Sequence, residues 1–139
     1  MIINNSDSAT DLFFITGFSI SIIGLIIEVV ADKQKSNFRV NSSNKSEFIS
    51  SGLWSISRHP NYFGEIMIWV GISVTTFPIL IGWQFITLIS PIFVIFLLTK
   101  VSGINLLEAS SDDRWGADKK YQDYKEKTSV LIPFIKNRS

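Results

Sequence analysis

Arg58, His59, Asn61 and Glu65 lie close together in the run GLWSISRHPNYFGE, at the head of a long apolar stretch. Pro60 suits a first helical position, because proline lacks the amide proton that would go unpaired there. A helix starting at Pro60 puts Arg58 and His59 just ahead of its first turn. Asn61 then lies in that turn, and Glu65 lies one turn deeper on the same face. The free amides and dipole of a helix start favour an anion, and Arg58 adds a fixed positive charge. This is chemistry suited to a phosphate-bearing cofactor. A flanking arginine at an ordinary helix start explains Arg58 and Pro60 as well. It does not explain Glu65, which continues into the hydrophobic stretch with Trp69 one turn further on.

Three other groups of side chains have chemical potential. Glu28 and Asp32 stand one helical turn apart near the end of the first apolar run, with Arg39 shortly after. They sit either at the water interface or facing a polar cavity within the span. Lys100 and Glu108, two turns apart, either pair across a cavity or snorkel to the interface. Tyr121 and Tyr124 have helical spacing in a tail that also carries Asp112, Asp113, Arg114, Lys119 and Lys120. That spacing suits a solvated amphipathic helix, packing on lipid headgroups, or a lid over a cofactor. With one histidine and no cysteine, no histidine or thiolate metal site is expected. A net charge of +1 gives no electrostatic footprint for nucleic acid.

The elements that must hold these residues are membrane helices. Hydrophobic residues make up 46% of the 139 and fall in blocks, with the charges between them. Residues 12–30 form a nearly uncharged run of about the 20 residues needed to cross a bilayer. No Lys or Arg precedes the run and no small-residue cleavage site follows, so it does not read as a signal peptide. A polar segment follows, loop-like over residues 41–47 and amphipathic over residues 48–54. Residues 60–77 and 84–104 predict a helical hairpin turning around Pro78 and Gly82, with Pro91 a tolerated kink. Residues 105–139 form a charged, aromatic tail ending on VLIPFI. All 13 Lys and Arg lie between residues 31 and 58 or between 100 and 138. Positive segments stay cytoplasmic, so three spans put the N-terminus outside and both charged segments inside. The expected fold is all-α: one polytopic membrane domain of about three transmembrane helices plus interfacial and C-terminal helices.

The order of these motifs is similar to a known family. EVVADKQKSNFR, GLWSISRHPNYFGEIMIWVG, SPIFVIFLLTKVSGINLLE and RWGADKKYQDYKEKTSVLIPFI together resemble the family called domain of unknown function 1295. That family is related to the C-terminal domain of steroid 5-alpha-reductases. The resemblance covers roughly residues 28–135. It implies a helical membrane enzyme with an NADPH pocket opening to the cytoplasm. In steroid reductases, groups matching Asp32, Arg39, Asn61 and Glu65 hold the nicotinamide cofactor, and Glu28 stands where those enzymes usually have Asn. Asp112, Asp113, Lys120, Tyr121 and Tyr124 resemble acidic and tyrosine positions of the reductase tail. Ser110 and Ser111 stand where relatives generally carry a basic residue. The cofactor-binding set expected on these grounds is Glu28, Asp32, Arg39, Arg58, His59, Asn61, Tyr62, Glu65, Glu108, Tyr121 and Tyr124, with no catalytic residue assigned.

The resemblance implies NADPH-dependent reduction of a C=C bond in a lipid or steroid-like substrate within the bilayer. Family members are longer, and their additional helices supply the acidic and tyrosine groups that polarise the substrate carbonyl. On that comparison the chain is expected to be incomplete at its N-terminus. The alternative is an S-adenosylmethionine-dependent methyltransferase of the isoprenylcysteine carboxyl methyltransferase type. Those enzymes share His59-Pro60-x-Tyr62, but usually carry an Arg-Glu pair where this chain has Leu107-Glu108. A third reading is a non-catalytic remnant that keeps the fold.

Overall fold

The computed structural model describes residues 5–101 and 103–135, and these form a helical protein with no strand beyond a single isolated bridge. Helix α1 spans Asn5–Val40. At about 1.5 Å per residue it is roughly 54 Å long, so the apolar run of residues 12–30 is only its membrane-length portion. No proline interrupts it, and its polar second half continues as helix until local side chains compete for the backbone. Asn41 Oδ1 accepts from both the amide and the hydroxyl of Ser43, at 3.2 and 2.8 Å. Asn44 Nδ2 donates to Phe38 O at 3.0 Å, satisfying a last-turn carbonyl that the helix leaves free.

A polar loop and a short 3-10 turn over Gly52–Ser55 lead to α2, which spans Pro60–Thr76 and starts at Pro60 as its sequence predicts. Helices α1 and α2 run antiparallel in backbone contact. A Cβ added at Gly24 would lie 2.6 Å from Gly64 O, and one at Gly71 would lie 2.4 Å from Gly17 O. Between these two contacts, Ser21 Oγ donates to Ile68 O at 3.1 Å. Small residues serve this purpose in membranes, where lipid competes with any apolar side chain and close backbone approach supplies the packing gain. The same contact lays Glu28 beside α2, since a Cβ at Gly64 would meet Glu28 N at 2.7 Å.

The second half of the hairpin, expected as a helix over residues 84–104 with a kink at Pro91, is helical but changes helical type along its length. A 3-10 segment over Gly82–Leu88 leads into α3, Ile89–Phe96, and a π-helical turn over Leu97–Val101 precedes α4, Gly103–Trp115. Pro91 falls in the first turn of α3, just after the change from 3-10 to α geometry. Asp7–Val40, Pro60–Ile79 and Gly82–Trp115 are each long and apolar enough to cross a membrane. Gly116 ends α4, because a Cβ there would come within 2.3 Å of Asp112 O. Asp118 caps α5, Lys119–Lys127, by accepting from Lys120 N at 2.9 Å. The helix is fastened back to α4 by Lys125 Nζ on Asp112 Oδ1 at 2.7 Å.

Candidate functional site

The charged ends of α1 and α2, the loops beside them, and helices α4 and α5 enclose a cavity of about 310 Å³. Phe48 anchors one wall, with its ring 5.1 Å from that of Tyr121, 5.4 Å from Tyr124 and 5.9 Å from Trp115. Trp54, buried, donates from Nε1 to Ala31 O at 3.1 Å and so ties the loop to α1. Burial pushes the phenols of Tyr121 and Tyr124 above their ordinary range, and the Glu108 charge adds to the effect at both. Both phenols stay neutral. Tyr124 OH donates to Trp54 O.

The cavity is cationic. Lys35, Arg39, Lys45, Arg58 and Arg114 line it, against the carboxylates of Glu47 and Glu108. Glu108 is engaged: its Oε2 accepts from Arg58 Nη1 at 2.7 Å and its Oε1 lies 2.7 Å from His59 Nε2. A carboxylate only accepts, so His59 presents Nε2–H to it. The three side chains are largely shielded, with exposures of 11% for Arg58, 8% for His59 and 21% for Glu108, so these charge-assisted bonds are little diluted by water. Glu108 takes these partners from the start of α2, and Lys100 is exposed.

Arg39, Arg58, His59, Glu108, Tyr121 and Tyr124 all line the cavity. Glu28, Asp32, Asn61, Tyr62 and Glu65 do not. They sit instead along the α1–α2 contact, where Glu28 is within electrostatic reach of Glu65 and Asp32, and Tyr62 of the same two. The expected residues therefore form two adjoining groups, one cationic and aromatic, one acidic. Two buried polar atoms have no hydrogen-bond partner among the described residues: Arg58 Nε, a donor, and Asn61 Oδ1, an acceptor. Such orphans are costly to bury. A ligand bearing both an anionic oxygen and an N–H or O–H group suits the pair.

Lys35, Phe48, Trp54 and Trp115 also line the cavity, outside the set of residues expected there. For Phe48 and Trp54 the amphipathic pattern of residues 48–54 was a signal, but one that reads equally as contact with lipid headgroups. Lys35 and Trp115 carry no local signal, because their roles depend on which loop folds against them.

Several comparisons bear on this arrangement. "3-oxo-5-alpha-steroid 4-dehydrogenase 1" of Rattus norvegicus is 28% identical over 93% of this chain and 44% of its own length. "Steroid 5-alpha-reductase DET2" of Gossypium hirsutum is 31% identical over 88% of this chain and 42% of its own length. "Probable O-methyltransferase ustE" of Ustilaginoidea virens is 40% identical over a shorter stretch, 36% of this chain and 18% of its own length. The chain thus spans less than half the length of these relatives. No solved structure matches it significantly. The family model described as "Protein of unknown function (DUF1295)" matches residues 1–128, and the chain belongs to that family.

Proposed function

We propose that this chain forms the cofactor-holding part of a membrane reductase that passes hydride from NADPH to a C=C bond of a steroid-like or other lipid substrate. The observation that carries the reading is a cationic, aromatic-walled cavity with the acidic cluster of Glu28, Asp32 and Glu65 on the neighbouring helix contact, and Arg58 Nε and Asn61 Oδ1 buried without partners among the described residues. The two reductase relatives named above support it. Arg58 and Arg39 suit phosphate oxygens, because a guanidinium offers several donors in a fixed plane. Asp32 and Glu65 suit ribose hydroxyls, and Asn61 suits an amide or hydroxyl donor. Tyr121, Tyr124 and Phe48 offer ring faces to a base. When bound, NADPH supplies the hydride; the chain's own work is to bind the phosphates, orient the rings and exclude water. The relatives named above extend well beyond the stretch matched here. The charge map supports an N-terminus outside and the cavity opening to the cytoplasm.

A second reading is favoured by the methyltransferase relative and by the shared His59-Pro60-x-Tyr62 element: S-adenosylmethionine in the same cavity. The two ligands differ in charge. NADPH is a polyanion, whereas S-adenosylmethionine carries a sulfonium and no phosphate, so a wall of five cations favours the former. The test is thermal stability of the detergent-purified chain, titrated with each ligand in parallel. Binding to the folded state at 100 times Kd adds about 2.7 kcal/mol. Stabilisation by NADPH alone supports the reductase, and stabilisation by S-adenosylmethionine alone replaces it with the methyltransferase. With no shift from either ligand the cavity is not a cofactor site in this chain.

A further inference from the structure

The loop that carries Arg58 and His59 is fastened by a segment from the far end of the chain. Arg58 N donates to Ser129 O at 2.8 Å, within a parallel bridge between Ser57 and Ser129. Two hydroxyls then cross in opposite directions. Ser57 Oγ donates to Leu131 O at 2.6 Å, and Ser129 Oγ donates to Ile56 O at 2.8 Å. Ser57 has no exposed surface, and its oxygen also accepts from His59 N at 3.2 Å. Thr128 and Ser129 are buried as well.

These bonds act where the local backbone has no ladder of its own. Residues 56–59 lie between a 3-10 turn and the start of α2, and the His59 amide precedes the helix's own hydrogen-bond series. Keeping an arginine and a histidine on one carboxylate at 2.7 Å each is favoured by a backbone held to within about 0.5 Å beneath them. The reciprocal serine bonds supply that hold. Neither serine lines the cavity.

We infer that Ser57 and Ser129 are positioning residues: the strap formed by residues 128–131 fixes Arg58 and His59 against Glu108 and thereby sets the anion affinity of the cavity. The geometric half of this stands alone, and the ligand half rests on the NADPH reading above.

The chain contains a single histidine, so isotopic labelling of histidine gives one imidazole spectrum, that of His59, from the full detergent-purified protein. In Ser57→Ala and Ser129→Ala the imidazole nitrogen signals move toward those of Glu108→Gln, and Kd for NADPH rises at least tenfold. Ser129→Thr, which keeps the hydroxyl, retains the original signals and affinity. Ser21→Ala is the control, since it deletes a comparable hydroxyl bond on the α1–α2 contact. It lowers thermal stability and leaves both readouts in place. Ser57→Ala is the harsher change because its oxygen serves two bonds, so Ser129→Ala decides if the former does not fold. Unchanged His59 signals in the alanine variants overturn the inference. So does a failure of both to fold, which would make the strap a support of the whole fold rather than of this pair. If the His59 signals move but NADPH binds neither wild type nor variants, the positioning stands and the NADPH reading falls.

Discussion

Glu108 Oε1 lies 2.7 Å from His59 Nε2, joining α4 to the start of α2 across 49 residues of sequence. The other oxygen of the same carboxylate takes Arg58 Nη1 at the same distance. One carboxylate thus serves two donors, one on each oxygen. Removing the charge leaves both facing a weaker partner in a shielded site. Glu108→Gln is expected to lower folding stability by roughly 1–3 kcal/mol, the cost of unpairing half-buried charged groups. Thermal unfolding in detergent measures it, and an unchanged midpoint would remove Glu108 from any structural role.

The α1–α2 contact gives a sharper contrast. A Cβ at Gly64 meets backbone, Gly24 O at 2.6 Å, so no rotamer change can relieve it. Gly64→Val must push the helices apart and is expected to cost about 1–3 kcal/mol or more through overpacking. Gly82 has open space around it and a φ of +56°, so Gly82→Ala should cost only left-handed strain, about 1–2 kcal/mol. Because Glu28 sits beside Gly64, the first variant should also loosen the acidic cluster of Glu28, Asp32 and Glu65 while the second leaves it unchanged. Comparing ligand-induced stabilisation of the two variants checks this. Equal loss in both would mean that the helix contact does not position the acidic cluster.

Much of this was legible in the chain. The run of residues 12–30, Pro60 as a helix start, and Asn61 with Glu65 on one face follow from length, proline chemistry and helical spacing. The partner of Glu108 did not. Sequence spacing offered Lys100, two turns away on an assumed continuous helix. In the structure Lys100 lies exposed in a π-helical turn over Leu97–Val101, and Arg58 and His59 arrive from another element. The glycines were visible, but nothing near them says that Gly17 meets Gly71 or Gly24 meets Gly64, since that register belongs to the pair of helices. Ser57 and Ser129 were invisible for the same reason. Each is an ordinary serine until the strap is laid beside the loop.

Asn61 and Glu65 test the proposed ligand directly. Asn61 Oδ1 is buried and unpaired, so a bound donor there recovers a hydrogen bond the protein itself does not make. Asn61→Ala and Glu65→Gln are each expected to weaken NADPH binding about 10- to 100-fold, the equivalent of roughly 1–3 kcal/mol for a lost buried bond. Membrane insertion should be unaffected, because α2 keeps its apolar faces. Isothermal titration on both variants, with membrane fractionation as the control, gives the answer. Normal affinity in both would show that Asn61 and Glu65 are not part of the site.

Tyr124 makes the alkaline limb of stability diagnostic. Burial holds its phenol above the usual value of about 10, and the neutral hydroxyl donates to Trp54 O. The unfolded chain ionises near pH 10 while the folded chain keeps its proton. The unfolded state therefore binds fewer protons above that point, and stability falls as pH rises beyond it. Below pH 10 the contribution is fully present. Tyr124→Phe loses about 1 kcal/mol at neutral pH through the missing hydrogen bond. Its stability should then decline less steeply between pH 10 and 11.5 than that of wild type, so the two unfolding curves converge. Parallel curves across that range would place the phenol in water, and with it would go the aromatic wall that Tyr124 shares with Phe48.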